Sequence, residues 1–78
     1  MRPLPDRRKQ AIVFIASYIS SNGYPPSMRD VGKAIGMKSS SSVWKMMHKC
    51  EAEGHLEIDR SIPRGIRVTK SGLEFANS

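Results

Sequence analysis

The chain has 78 residues and a formal net charge of +6, from 13 Lys and Arg against 7 Asp and Glu. That length supports one small domain with a modest core, in which an enclosed catalytic pocket is hard to build, and the cationic balance favours polyanionic partners, nucleic acid before acidic membrane. No apolar run approaches the roughly 20 residues that span a bilayer, no apolar h-region marks a secretory signal, and the single cysteine, Cys50, excludes an internal disulfide and suits a reducing cytoplasm.

Pro3 and Pro5 discourage regular structure before the first helix, predicted over residues 6–21. There Ala11, Ile12, Ile15, Tyr18 and Ile19 follow helical spacing, and Val13 and Phe14 widen the stripe. Asp6 complements the helix dipole at its start, whereas Arg7, Arg8 and Lys9 sit where positive charge is unfavourable. Such a cluster points to phosphate contact, with three solvated charges as the plainer alternative. Asn22-Gly23 ends the helix, and Tyr24-Pro25-Pro26 forms a stiff link whose tyrosine is expected to pack over the helix junction.

A second helix is predicted over 27–35. Ser27 is a good N-cap and Asp30 completes an acidic capping box. Val31, Ala34 and Ile35 recur on one face, Arg29 and Lys33 point outward, and Gly36 closes the helix. Four serines, Ser39 to Ser42, then open a third helix over 40–53 that stops at Gly54. At about 100° per residue its back gathers Val43, Met46, Met47 and Cys50, where the cysteine serves as a small hydrophobe. The front carries Ser41, Lys45, His48 and Ala52, flanked by Ser42, Trp44 and Lys49. Two short helices about a glycine-containing turn outline a helix-turn-helix, and a small, polar, basic front suits the DNA major groove. An ordinary solvated surface helix is the bland alternative.

Beyond Gly54 the pattern becomes alternating. Leu56 and Ile58 point opposite to Glu57 and Asp59, and Ile66 and Val68 alternate with Arg67, which predicts a two-stranded antiparallel wing over 55–69. Arg60 and Arg64 at its tip, and Arg67 on its outer face, can grip phosphate or enter the minor groove; Arg67 can instead pair across the strands with Glu57 or Asp59. In 70–78, Thr69 can cap a short closing helix with Leu73 and Ala76 or Phe75 inward, although Gly72 opposes it. So short a helix must dock on the domain or on a second subunit.

The fold class is therefore α+β, a winged helix-turn-helix of three helices and a two-stranded antiparallel wing, with a short C-terminal helix in prospect. The order of elements, with Gly23-Tyr24-Pro25-Pro26-Ser27, Ile35-Gly36-Met37-Lys38-Ser39, Glu57-Ile58 and Arg64-Gly65-Ile66-Arg67, resembles the DNA-binding domain of the LexA family of bacterial SOS repressors from about Leu4 to Val68. The resemblance implies operator reading by the third helix, steadied by the wing. At the family's base-contacting positions this chain has Ser39, Ser41, Ser42, Trp44 and Lys45, where the family has asparagine and a pair of glutamates among them. Glutamate accepts from cytosine whereas lysine donates to guanine, so the operator is expected to differ from the SOS box. The family continues into a self-cleaving peptidase domain that also dimerises it; with the sequence stopping at Ser78, the expectation is a small independent regulator without the cleavage switch, of phage or mobile-element type.

The candidate base readers are Ser41, Ser42, Trp44 and Lys45, with Trp44 equally able to shelter the core edge. The candidate backbone contacts are Arg7, Ser27, Arg29, Lys33, Lys38, Ser39, His48, Lys49, Arg60, Arg64 and Arg67. His48, His55 and Cys50 lack metal-ligand spacing, no nucleophile pattern or phosphate loop is present, and no cofactor is expected. The expected partner is double-stranded DNA, bound by a homodimer or by paired monomers on a two-fold site, with no membrane. The alternatives are a winged-helix protein-interaction module, such as an anti-repressor or a polymerase or repressor co-factor, and a non-specific DNA binder.

Overall fold

A computed structural model describes residues 6–77. Its elements are α1 (Arg7–Asn22), α2 (Met28–Ile35), α3 (Ser40–Ala52), β1 (Leu56–Ile58), β2 (Ile66–Val68) and α4 (Lys70–Ala76). The expectation for Met1 to Pro5 lies outside the described residues.

Each helix starts where a short side chain can accept from an otherwise orphaned backbone N–H. Asp6 accepts from the Arg8 amide at 2.9 Å, Ser39 from Ser42 at 3.4 Å and Thr69 from Gly72 at 2.9 Å. At α2 the capping box closes both ways, Ser27 Oγ accepting from the Asp30 amide and Asp30 accepting from the Ser27 amide, each at 3.1 Å. Helices α1 and α2 end on Gly23 and Gly36 at φ 80° and 76°, the left-handed region that a side chain resists.

One core joins the elements: Ala11, Ile12 and Ile15 of α1, Val31 and Ile35 of α2, Val43, Met46, Met47 and Cys50 of α3, and Leu56 and Ile66 of the strands. Burying a side chain the size of Ile12 or Met47 contributes about 1.5–3 kcal/mol, so this cluster outweighs any surface contact. The predicted α2 face is corrected at one position: Ala34 is exposed and Gly32 is buried in its place. The reason is steric. A Cβ on Gly32 would sit 2.9 Å from Val43 Cγ2 and 3.2 Å from the Met37 carbonyl oxygen, so α3 approaches over Gly32 and rolls α2 toward it. Val13, placed in the α1 stripe by spacing, is also exposed, at 40%.

The wing is a two-stranded antiparallel sheet with register Leu56↔Val68, Glu57↔Arg67 and Ile58↔Ile66. Its turn is held by Asp59, which accepts from the Ser61 amide at 2.9 Å and hydroxyl at 2.5 Å. Tyr24 lies over the helix junction as predicted by the stiff link, but on its surface, 49% exposed and edge-on to Tyr18 at 5.8 Å.

The closing segment forms α4 and docks on the same domain, mainly against α1. Phe75 stacks on His55 at 4.3 Å with Arg8 and Lys9 over its ring, and Phe75 and Ala76 pack against the core. Leu73, expected inward, is 45% exposed. Gly72, which lowers helix propensity, is explained by packing: a Cβ there would overlap the His55 carbonyl oxygen and lie 3.2 Å from Val68 Cγ1.

Gly72→Ala is accordingly expected to lower stability by about 1–3 kcal/mol despite its better propensity, read by urea unfolding; an unchanged or raised midpoint would contradict the docking of α4. Acid is expected to destabilise the fold as well. Arg8 holds the Asp6 carboxyl below its ordinary range, Ser27 that of Asp30, Arg60 that of Glu51 and Ser61 that of Asp59. Depressed folded values mean stability present above about pH 4 and lost as pH falls further, so Tm should be level from pH 7 to 5 and drop below about pH 4. A Tm unchanged to pH 2.5 would refute it.

Candidate nucleic-acid interface

Helix α3 divides by residue along its length. Val43, Met46, Met47 and Cys50 are buried, while Ser41, Ser42, Trp44, Lys45, His48 and Lys49 are exposed on the opposite side, as the 3.6-residue spacing predicts. Burial pushes the Cys50 thiol up to about 11, so this cysteine is a packing residue. Beside α3, a cavity of about 650 Å³ opens between α2 and α3; Met28, Met37, Val43 and Trp44 give it an apolar lining, and Arg29, Lys33, Lys38 and Ser40 a polar one.

The predicted backbone residues fall into distinct settings. Arg29, Lys33, Lys38, Lys45 and Lys49 have no carboxylate partner among the described residues. Ser27 and Ser39 lie at the starts of α2 and α3, their hydroxyls engaged as caps. Arg7 is turned inward on the protein, donating to the Ile35 carbonyl at 2.8 Å and so satisfying the end of α2. Its neighbour Arg8 bridges Asp6 and Glu53 at 2.8 and 2.6 Å, tying the start of α1 to the end of α3.

All three wing arginines are held by carboxylates. Arg60 reaches Glu51 Oε1 at 2.9 Å and His48 Nδ1 at 3.1 Å, and its guanidinium lies 5.4 Å from the centre of the Trp44 ring. Arg64 contacts Asp30 at 3.4 Å, donates to the Pro25 carbonyl at 3.2 Å and covers Tyr24. Arg67 takes the cross-strand alternative, paired with Glu57 through Nε at 2.7 Å. Trp44 stacks on His48 at 4.5 Å, lies beneath Arg60 of the wing turn and is 38% exposed, so it supports that turn while leaving surface free.

Glu51 is the residue that sequence reasoning passes over, since it lies nine positions from Arg60 and no periodicity links the two. Ile62, in the wing turn, is 54% exposed and, with Trp44, lines a second cavity of about 220 Å³ under the wing. Among the described residues no group of three or more His, Cys, Asp or Glu could hold a metal ion, and no helix is long and apolar enough to cross a membrane.

A helix-turn-helix with its second helix exposed along one basic side, followed by a two-stranded wing packed on that helix, defines a winged helix-turn-helix protein. The family model described as LexA DNA binding domain matches residues 1–65. The chain belongs to that family. It is 37% identical over 73 residues to the LexA repressor of Geobacillus thermodenitrificans, covering 94% of this chain and 35% of that protein. To the LexA repressor of Staphylococcus epidermidis it is 34% identical over 77 residues, covering 99% and 37%, and to that of Lacticaseibacillus casei 39% over 69 residues, covering 88% and 33%. The chain thus spans about a third of the length of these relatives.

Burial of Cys50 makes a direct prediction. In the folded protein at pH 8 its thiol should react with a maleimide or disulfide reagent at least tenfold more slowly than a free cysteine, and at the free rate in denaturant. Equal rates in both states would show that α3 is not seated as described.

Proposed function

We propose that this span binds double-stranded DNA sequence-specifically as a transcriptional repressor, with α3 in the major groove and the wing beside it. The reading is of a binding protein, not an enzyme, working in the bacterial cytoplasm where its DNA lies. The observation that carries it is the set Lys38, Lys45 and Lys49 with Ser41 and Ser42, all exposed on or beside α3 and without a carboxylate partner among the described residues. Unpaired cations beside small hydroxyls are what phosphate attraction and base-edge hydrogen bonding require.

In this reading Ser41, Ser42 and Lys45 reach base edges and Trp44 meets a sugar or thymine methyl at the groove wall. Arg29, Lys33, Lys38, Lys49 and the N-termini of α2 and α3 at Ser27 and Ser39 hold phosphates, with His48 nearby. Arg60, Arg64 and Arg67 reach phosphate only by exchanging their carboxylates for it, and Arg7 only by leaving Ile35. Lys45 in place of an acidic reader favours guanine, so the preferred site differs from the SOS box. Two copies on a two-fold site would give an inverted repeat. The similarity to LexA repressors supports the repressor assignment.

A second reading, docking of a partner protein, is favoured by one observation, the apolar lining of the α2–α3 cavity at Met28, Met37, Val43 and Trp44.

Selection from a random duplex library at about 150 mM salt, where phosphate attraction alone is suppressed, separates the two. An inverted repeat is expected. Lys45→Ala should then weaken the selected site by about 1–3 kcal/mol and relax its sequence preference, while Lys49→Ala weakens selected and random duplexes alike. Equal losses for Lys45→Ala on both duplexes would remove its base-reading role, and a folded protein that recovers no motif would favour the protein-docking reading.

A further inference from the structure

We propose that Glu51 and Glu57 are specificity-determining residues: by holding wing arginines in intramolecular ion pairs, they keep the wing from adding to sequence-independent attraction for DNA. The proposal rests on the DNA-binding reading above.

Its basis is the placement of charge. Arg29, Lys33, Lys38, Lys45 and Lys49, on α2, the turn and α3, are unpaired with carboxylates among the described residues, whereas every wing arginine is paired. Arg67 is bonded to Glu57 directly across the sheet register, and Arg60 lies 2.9 Å from Glu51 on the recognition helix itself. The protein therefore concentrates its unneutralised charge beside the bases and cancels it on the wing. The pairs are exposed, with side-chain accessibilities of 76% and 57% for Arg67 and Glu57, and exposed pairs of this kind add little to stability. Their effect lies elsewhere.

Non-specific association is driven by counterion release, about 0.9 in the log–log salt slope for each phosphate neutralised, and it tolerates many orientations. Any unpaired cation on the surface contributes to that sum. A sequence-specific complex holds one register, in which a cation gains only if a phosphate is fixed beside it. Carboxylates paired with the wing arginines therefore subtract more from non-specific than from specific binding. Because competing sites vastly outnumber the operator, that ratio governs occupancy. Asp30 acts similarly on Arg64, but it also closes the α2 capping box, so it is unsuitable for the test.

The experiment compares Glu51→Gln and Glu57→Gln with Glu74→Gln, which makes the same charge change on an exposed α4 residue with no ion pair among the described residues. Binding of the full chain to a labelled random duplex and to the selected site is measured by fluorescence anisotropy from 50 to 200 mM salt, with helical circular dichroism confirming each variant folded. Glu51→Gln and Glu57→Gln should each tighten the random duplex about two- to fivefold and steepen its salt slope by about 0.9. The selected site should gain less, so the specificity ratio falls, and Glu74→Gln should change either duplex less than these variants do. The proposal is overturned if both variants match Glu74→Gln, or if both duplexes gain by the same factor. Failure of the underlying reading looks different, as a wild-type chain that binds neither duplex.

Discussion

The seating of α3 is the constraint on which the remaining structure depends. Its back, Val43, Met46, Met47 and Cys50, enters a core shared with Ile12, Ile15 and Val31, and this burial fixes the helix in rotation, so that Ser41, Lys45 and His48 have no choice but to face solvent. Gly32 sets the distance. With no Cβ to meet Val43, α2 lets α3 approach closely, and the angle between the two helices follows from that contact together with the left-handed turn at Gly36. An exposed polar and basic face is thus produced by packing on the other side of the helix.

Around this seat the ion pairs act as braces. Arg8 ties the start of α1 to Glu53 beyond the end of α3, Arg60 ties the wing turn to Glu51 in the last turn of α3, and Arg64 ties the same wing turn to the start of α2. Each is weak by the measure of exposed pairs. Together they orient elements that the core holds only at their bases, and with the Arg67–Glu57 pair they consume Asp6, Asp30, Glu51, Glu53 and Glu57, five of the seven acidic residues. The net charge of +6 is therefore expressed mainly through lysines and Arg29 on α2, the turn and α3. The carboxylates of these helices, Asp30 and Glu51, are themselves taken up by wing arginines, which leaves the lysines and Arg29 without carboxylate partners among the described residues.

The wing and α4 illustrate mutual support between elements too short to stand alone. Strands of three residues and a helix of seven would be marginal in isolation. Leu56 and Ile66 enter the core, Thr69 caps α4 while donating its hydroxyl to the Gly54 carbonyl at 2.6 Å, and Gly72 lets α4 rest on the backbone of His55. Phe75 then closes the end of the domain against α1. The same residues that end the sheet begin the helix.

Much of this was legible in the residues alone, because it is local. Capping side chains at Ser27, Ser39 and Thr69, glycines at 23 and 36, and the change from 3.6-residue to two-residue periodicity after Gly54 all act within a few positions, so the helices, the wing and the buried back of α3 follow from order and spacing. What only the tertiary structure decided depends on residues far apart in the chain. The burial of Gly32 instead of Ala34 required α3 to be in place, the value of Gly72 required the His55 carbonyl, and Arg60 and Arg64, which as sequence are simply cations, became paired because Glu51 and Asp30 are brought to them across nine and 34 positions. Periodicity reports which side of an element is apolar; it carries no information on which distant neighbour arrives to meet it, and at this interface that neighbour sets the charge presented to solvent.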